Sequence, residues 1–332
     1  MEAAFSFYEW YTFGVEPEKS GMDLVSLLFS LTLAFQGQVH IEPPLKPSTV
    51  PAATPADLRV DVPLVLIPVH VTNALGTSVT DLRQEQFRLL EDNVEQNITH
   101  FSYEDAAVSI GLLVDASSSM RNKMRKSMAA LATFFKTANA EDEFFLIEIG
   151  DRAKLLSPFT KNLNDIRSRL ARIKPYGRTA LLDAIGMALT EMGRAKNARK
   201  VILILSDGGD NRSRYTESEV KKLASESDSQ IYSMGIYDDS LKRTPEERDG
   251  PRLLSDMTEQ TGGKYFSVDR LDDLPGICDR ISAELRSQYL LGYSPTSNSA
   301  DGKYRQVRVR VNPPTLKVNH RMGYYAPGGT AW

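Results

Sequence analysis

One cysteine, Cys278, stands in 332 residues. No intrachain disulfide can form, so the fold does not depend on an oxidising compartment. No histidine neighbours Cys278 in the sequence, and it reads as a small buried hydrophobe rather than a nucleophile. Histidine is scarce as well: His40, His70, His100 and His320 are the full set. All four lie outside the central strand-and-helix region described below, which excludes a histidine-based triad or a zinc motif there. Neither sign of charge dominates, with a net of −3, so nothing global supports nucleic-acid binding by counterion release. Long apolar runs are missing too. Residues 24–35, LVSLLFSLTLAF, give 12 apolar or small positions, too short to span a bilayer but suited to the core of a secretory leader. Asp23 departs from the basic flank expected of a leader, and Met22 offers an alternative start.

What is present is organised in blocks. Residues 1–41 form an N-terminal segment with the leader candidate. Residues 42–63 carry Pro43, Pro44, Pro47, Pro51, Pro55 and Pro63 and read as an extended linker. Residues 64–106 are β-rich: Val65, Ile67, Val69 and Val71 alternate as in a strand with one face inward. Residues 73–77, NALGT, form a turn, strands follow at 87–91 and 97–101, and Glu91-Asp92-Asn93 suits a hairpin turn. From 107 to 287 strand and helix patterns alternate, which predicts a mainly parallel sheet covered on both faces. Helices are expected over 120–138, 163–173, 181–195, 218–225, 253–261 and 270–286, and strands over 108–114, 143–149, 201–205, 230–235 and 264–268. Residues 238–252, DDSLKRTPEERDGPR, read as a charged loop. Residues 288–327 return to β pattern. Each β-rich flank is too small for its own core, so the two are expected to form one discontinuous β-sandwich around the α/β unit. The last helix runs straight into the strand at 289–293, a connection through which a helix shift would reach the sandwich.

The chemistry-bearing residues sit at strand ends. In residues 108–120, VSIGLLVDASSSM, a buried-strand run stops at Asp115, and Ser117 and Ser119 follow at alternate positions. If the chain stays extended there, the carboxylate and both hydroxyls share one face. Residues 199–208, RKVILILSDG, form a second buried run ending in Asp207. Between them, in YGRTALLD, Thr179 stands just before an apolar helix. Ligands of parallel sheets bind at the carboxyl ends of strands, where Asp115 and Asp207 lie. Such an all-oxygen donor set suits a hard divalent cation.

Asp-x-Ser-x-Ser, a distant Thr and a distant Asp in this order resemble the metal-ion-dependent adhesion site (MIDAS) of von Willebrand factor type A (vWA) domains. The segment LLEDNVEQNITHFS, the junction LRSQYLLGYSP and the ending RMGYYAP are similar to the bacterial (acidobacterial) VWFA-related family. The nesting of such a unit in a β-sandwich is similar, at the level of fold, to integrin β chains. The resemblance implies a Rossmann-like doubly wound α/β fold and a Mg²⁺ site (or Mn²⁺ or Ca²⁺) formed by Asp115, Ser117, Ser119, Thr179 and Asp207. It also implies a partner protein presenting an Asp or Glu side chain to the metal, at the envelope or outside the cell. On this reading the protein is an adhesion module and not an enzyme, without nucleic-acid partners, and with membrane contact at most through residues 24–35.

Two rivals share the same residues. One is a metal-dependent hydrolase or phosphotransferase, which requires a general base near the ion. The other is a structural envelope protein with a vestigial site. A dinucleotide enzyme is excluded, because DASSSM lacks the glycines that follow the first strand in that fold. Aspartyl phosphotransfer would want an acid where Ser117 stands.

Overall fold

A computed structural model describes residues 64–103, 105–237, 244–297 and 301–326. The leader candidate and the proline-rich linker lie outside the described residues. In chain order the strands and helices are β1 (Val65–Thr72), β2 (Phe87–Glu91), β3 (Val94–Gln96), β4 (Ile98–Ser102), β5 (Val108–Asp115), α1 (Met124–Phe134), β6 (Glu143–Ile149), β7 (Lys154–Thr160), α2 (Leu163–Leu170), α3 (Leu181–Met192), β8 (Arg199–Ser206), α4 (Glu217–Glu226), β9 (Gln230–Ile236), α5 (Pro245–Thr261), β10 (Tyr265–Val268), α6 (Leu274–Arg286), β11 (Gln288–Tyr293), β12 (Tyr304–Val311), β13 (Lys317–His320) and β14 (Gly323–Tyr325).

The middle of the chain forms a six-stranded sheet in the order β10-β9-β8-β5-β6-β7. Its strands are parallel except β7, which runs antiparallel at one edge. The central strands are continuous apolar runs because both faces are covered. Val108, Ile110, Leu112 and Val114 enter one core with α1, α2 and α6. Leu113, Ile202 and Ile204 enter the other, with α3, α4 and α5. Gly111 lies under the Phe145 ring, where an added Cβ would sit 2.2 Å from the ring edge.

The two flanks share two antiparallel sheets, β13-β1-β11-β4 and β14-β12-β2-β3. Strands from before and after the α/β unit alternate in the first sheet and meet at the β12–β2 pair in the second. Ile67, Val69, Val71, Tyr289 and Leu291 from one sheet meet Phe87, Leu89, Val307, Val309 and Val311 from the other in a single core. Tyr293 and Tyr324 both donate to buried Glu91 Oε2 at 2.7 Å. The expected discontinuous β-sandwich is therefore present.

Several local expectations are corrected. The Asp92-Asn93 turn is a hairpin with φ of 47° and 66°, but it joins β2 to β3. The strand expected over 97–101 is β4, which pairs with β11 in the opposite sheet. Within the β pattern expected over 288–327, the last stretch divides into β13 and β14. Residues 245–252 of the supposed charged loop are helical: Thr244 and Glu247 form a capping box and Pro245 opens α5, a helix-start signal masked by Gly250 and Pro251. Residues 238–243 lie outside the described residues. β7 was not anticipated.

A buried polar junction fastens the α/β unit to the sandwich. Glu284 on α6 accepts from Tyr232 on β9 (3.0 Å) and from Lys264 (3.0 Å), and lies 3.5 Å from the imidazole of His70 on β1. Gln288 links Tyr232, Gln230 and Arg199. Burial alone would raise the Glu284 carboxyl, but His70 and Lys264 outweigh it and hold it down at about 2, against a usual 4.5. A depressed carboxyl contributes stability that is present above the unfolded-chain value and is lost as pH falls through the folded one. Glu284→Gln is expected to cost about 2–3 kcal/mol at pH 7. In urea denaturation the gap to wild type should be smaller at pH 3 than at pH 7. An equal gap at both would remove the ionic account.

Candidate metal centre

β5 and β8 are adjacent, with Val114 opposite Leu205. Their carboxyl ends therefore bring Asp115 and Asp207 to the same edge of the sheet. Both are buried, as are Ser117 and Thr179. Asp115 Oδ1 accepts the Ser117 backbone N–H at 2.8 Å, and Oδ2 accepts the Ser206 hydroxyl at 2.5 Å. Burial and then the charge of Asp207 push the Asp115 carboxyl up to about 7, partly offset by the bonds from Ser206 and Ser117. Two acids are thus held close together, out of water, where their ionised forms oppose one another.

The hydroxyls converge, but not by the expected route. The backbone is extended only through Ser117 (φ −68°, ψ 167°), and Ser118–Met120 is a 3-10 turn. That turn brings the Ser117 and Ser119 hydroxyls to 2.9 Å from each other. The loop bearing Thr179 is tied in on both sides. Ser118 N–H donates to Gly177 O (3.1 Å), and Tyr176 N–H donates to Ala116 O (2.7 Å). Asn211 Oδ1 accepts the Thr179 N–H at 3.1 Å, while its own N–H donates to Thr179 O at 3.1 Å. Asp210 accepts from Leu182 N–H at 3.2 Å. Asp210 and Asn211 therefore brace the Thr179 loop against the turn that follows Asp207. Asp115 closes β5, and Ser117, Ser119, Thr179 and Asp207 lie on three loops that are hydrogen-bonded to one another or rooted in adjacent strands.

Sequence reading missed Lys123. It is buried, and its ammonium donates to Asp207 Oδ2 at 3.2 Å. Its signal was available: Lys123 lies beside Met120, Met124 and Ser127, all buried at helical spacing, where a charged residue needs a partner. Ser206, at the end of β8, was missed as well.

The donor set is two carboxylates and three hydroxyls. Among the described residues no cluster of three or more His, Cys, Asp or Glu is placed to hold a metal, so a cation here would depend on the hydroxyls. The opposed, buried Asp115 and Asp207 fit a small hard cation. Lys123 already supplies one positive charge and stands in competition for Asp207. Cys278 is buried, and burial pushes its thiol up to about 12, in keeping with a packing role. Among the described residues no helix is long and apolar enough to cross a membrane.

Residues 110–209 match the family model of the von Willebrand factor type A domain. No curated protein matches the sequence. Solved structures that resemble the chain include BatB from Bacteroides thetaiotaomicron, 19% identical, covering 55% of this chain and 100% of that one, with a TM-score of 0.44. The vWF domain of the type V pili tip protein Mfa5 from Porphyromonas gingivalis is 13% identical, covering 54% and 94%, with a TM-score of 0.43. A von Willebrand factor type A protein from Catenulispora acidiphila is 12% identical, covering 78% and 73%, with a TM-score of 0.47.

Proposed function

We propose that the von Willebrand factor type A domain carried by this chain is a divalent-cation-dependent protein-binding module. Its ligand residues are Asp115, Ser117, Ser119, Thr179 and Asp207, and its partner presents an Asp or Glu side chain. The observation that carries this reading is the pair of buried acids from adjacent strands, whose mutual repulsion a further positive charge would relieve beyond what Lys123 offsets. A bound Mg²⁺ or Mn²⁺ would supply that charge and a coordination position for an outside carboxylate. Three of the five donors are neutral hydroxyls, which leave metal charge uncancelled and favour capture of an anion. Asp115 is fixed by Ser117 and Ser206, Asp207 by Lys123 and the Gly209 N–H, and Thr179 by Asn211. The residues hold and orient, and the activity is recognition rather than turnover. The apolar segment at 24–35 supports export as the setting for that encounter.

Calorimetric titration of Mn²⁺ or Mg²⁺ into chelator-stripped protein should give one site. Lys123→Met should tighten it roughly tenfold, because it removes a cation beside a ligand carboxylate in a low-dielectric surrounding. No heat in either protein would remove the metal reading. Unchanged affinity in the variant would remove Lys123 as the competitor.

A further inference from the structure

All four histidines lie outside the α/β unit in the chain, yet the fold returns one of them to it. His70 on β1 faces Glu284 in the last turn of α6. Ser78 pairs with Thr72 across the 73–77 turn, which puts its side chain on the face that Thr72 and His70 share. The Ser78 hydroxyl and His70 Nε2 are 2.9 Å apart. On the far side of the ring, Nδ1 lies 3.5 Å from Glu284 Oε1. Facing a carboxylate, Nδ1 carries a proton, which leaves Nε2 to accept from Ser78. A hydroxyl, an imidazole and a carboxylate therefore stand in line, in the order of nucleophile, base and orienting acid.

Burial suits these roles. His70 and Glu284 are buried, whereas Ser78 is half-buried. Tyr232 and Lys264 hold the two oxygens of Glu284, so the carboxylate stays ionised and steadies the ring when both nitrogens carry protons. The turn before Ser78 is pinned: Asn73 Oδ1 accepts the N–H groups of Leu75 and Thr77, each at 3.0 Å. The ladder bonds beside Ser78 run from Asn73 N–H to Thr77 O and from Val79 N–H to Val71 O. They leave out the Ser78 N–H, a donor beside its own hydroxyl where an oxyanion would form. All three side chains line a cavity of about 900 Å³, a size that admits a small molecule. Leu75, Tyr265 and Phe266 give it apolar surface, and Arg280 lies 5.0 Å over the Phe266 ring. Its charged lining is mixed, with Lys264 and Arg280 beside Glu284, which suits an uncharged substrate.

We propose that Ser78, His70 and Glu284 form a metal-independent site that hydrolyses small, uncharged carboxylic esters held in this cavity. Ser78 Oγ adds to the ester carbonyl carbon as its proton passes to His70 Nε2. The bond from that carbon to the alcohol oxygen then breaks, and His70 gives its proton to the departing oxygen. Water next adds to the acyl-Ser78 ester and loses a proton to His70. Ser78 Oγ leaves with that proton, and the free acid is released. An ester is favoured over an amide because a single N–H serves the oxyanion and an alcohol leaves with less help than an amine. The same contacts that fasten the α/β unit to the sandwich thus hold a reactive hydroxyl, apart from Asp115 and Asp207 at the carboxyl ends of the strands. The proposal goes beyond the protein-binding reading and does not rest on it.

The test is hydrolysis of p-nitrophenyl butyrate, with labelling by a fluorophosphonate probe, both on the full chain in chelator. Wild type should release p-nitrophenolate and take up one probe, with loss of fluoride, on the peptide that contains Ser78. Ser78→Ala should remove the label and lower hydrolysis at least roughly hundredfold. His70→Gln should do the same, and Ser78→Ala decides alone if the histidine variant fails to fold. Hydrolysis unchanged in Ser78→Ala, a label on another residue, or neither label nor turnover in wild type overturns the proposal. Turnover that appears only with Mn²⁺ or Mg²⁺ assigns the chemistry to the metal centre and overturns it too. The chelator keeps the outcome separate from the metal reading, which calorimetry tests by itself.

Discussion

Asp115→Asn abolishes calorimetric Mg²⁺ and Mn²⁺ binding, a loss of roughly a hundredfold or more, yet the chelator-treated variant is at least as stable as wild type. The two halves of this expectation have one cause. In the absence of a cation, the ionised Asp115 is opposed by burial and by Asp207. Asparagine keeps an oxygen for the Ser117 N–H (2.8 Å) and offers its amide to the Ser206 hydroxyl, while the repulsion disappears. Thermal denaturation in chelator, paired with titration, separates the terms. A variant that loses both metal binding and stability would mean that Asp115 serves the fold rather than a ligand.

The second large effect is steric. Gly208 has φ of +77°, and its backbone lies against Gly250 in the first turns of α5. A Cβ on Gly250 would stand 2.4 Å from Asp207 O and 2.9 Å from Gly208 C. Both are backbone atoms and cannot swing aside. Gly250→Val must push α5 off the turn that presents Asp207. The expected cost is about 2–3 kcal/mol of stability, read by urea denaturation, with cation affinity down roughly tenfold from misplacement of one ligand. Gly276→Ala is the control. It lies in α6 with nothing within 4 Å of the added Cβ, and it should be neutral or stabilising by about 0.5–1 kcal/mol. If Gly250→Val behaves like the control, the close seat of α5 does not govern the site.

What could be read directly from residues was whatever strand periodicity and strand ends report. β5, β6, β8 and β9 are mostly apolar runs because helices cover both faces, and a carboxylate closing such a run marks the ligand edge of a parallel sheet. In β1 and β12 the apolar residues alternate because one face of each strand enters the sandwich core. β7 was hidden because an edge strand has one neighbour: in KLLSPFT the apolar residues do not alternate, Pro158 looks like a breaker, and the pairing with β6 shifts register twice. Edge strands tolerate this. α5 was obscured by Gly250 and Pro251, although Thr244, Pro245 and Glu247 spelled out its start. At the site, one-dimensional spacing identified the oxygen donors but supplied the wrong geometry for the serines, since a 3-10 turn and not an extended chain gathers them. For Lys123 the need for a partner was legible, but the partner's identity was not. Its partner, Asp207, is 84 positions away, and only the adjacency of β5 and β8 makes them neighbours.

The nesting of one unit inside another fixes an order of assembly. The Thr99 hydroxyl donates to Gly292 O across 193 positions, so β4 must wait for β11 to be synthesised. The strands and helices of the inner unit succeed one another along the chain and can close as each emerges from the ribosome. The outer strands made first are completed last, and until then their apolar faces have no mate. A nascent chain halted before Gln288 would hold a finished centre and an unfinished frame.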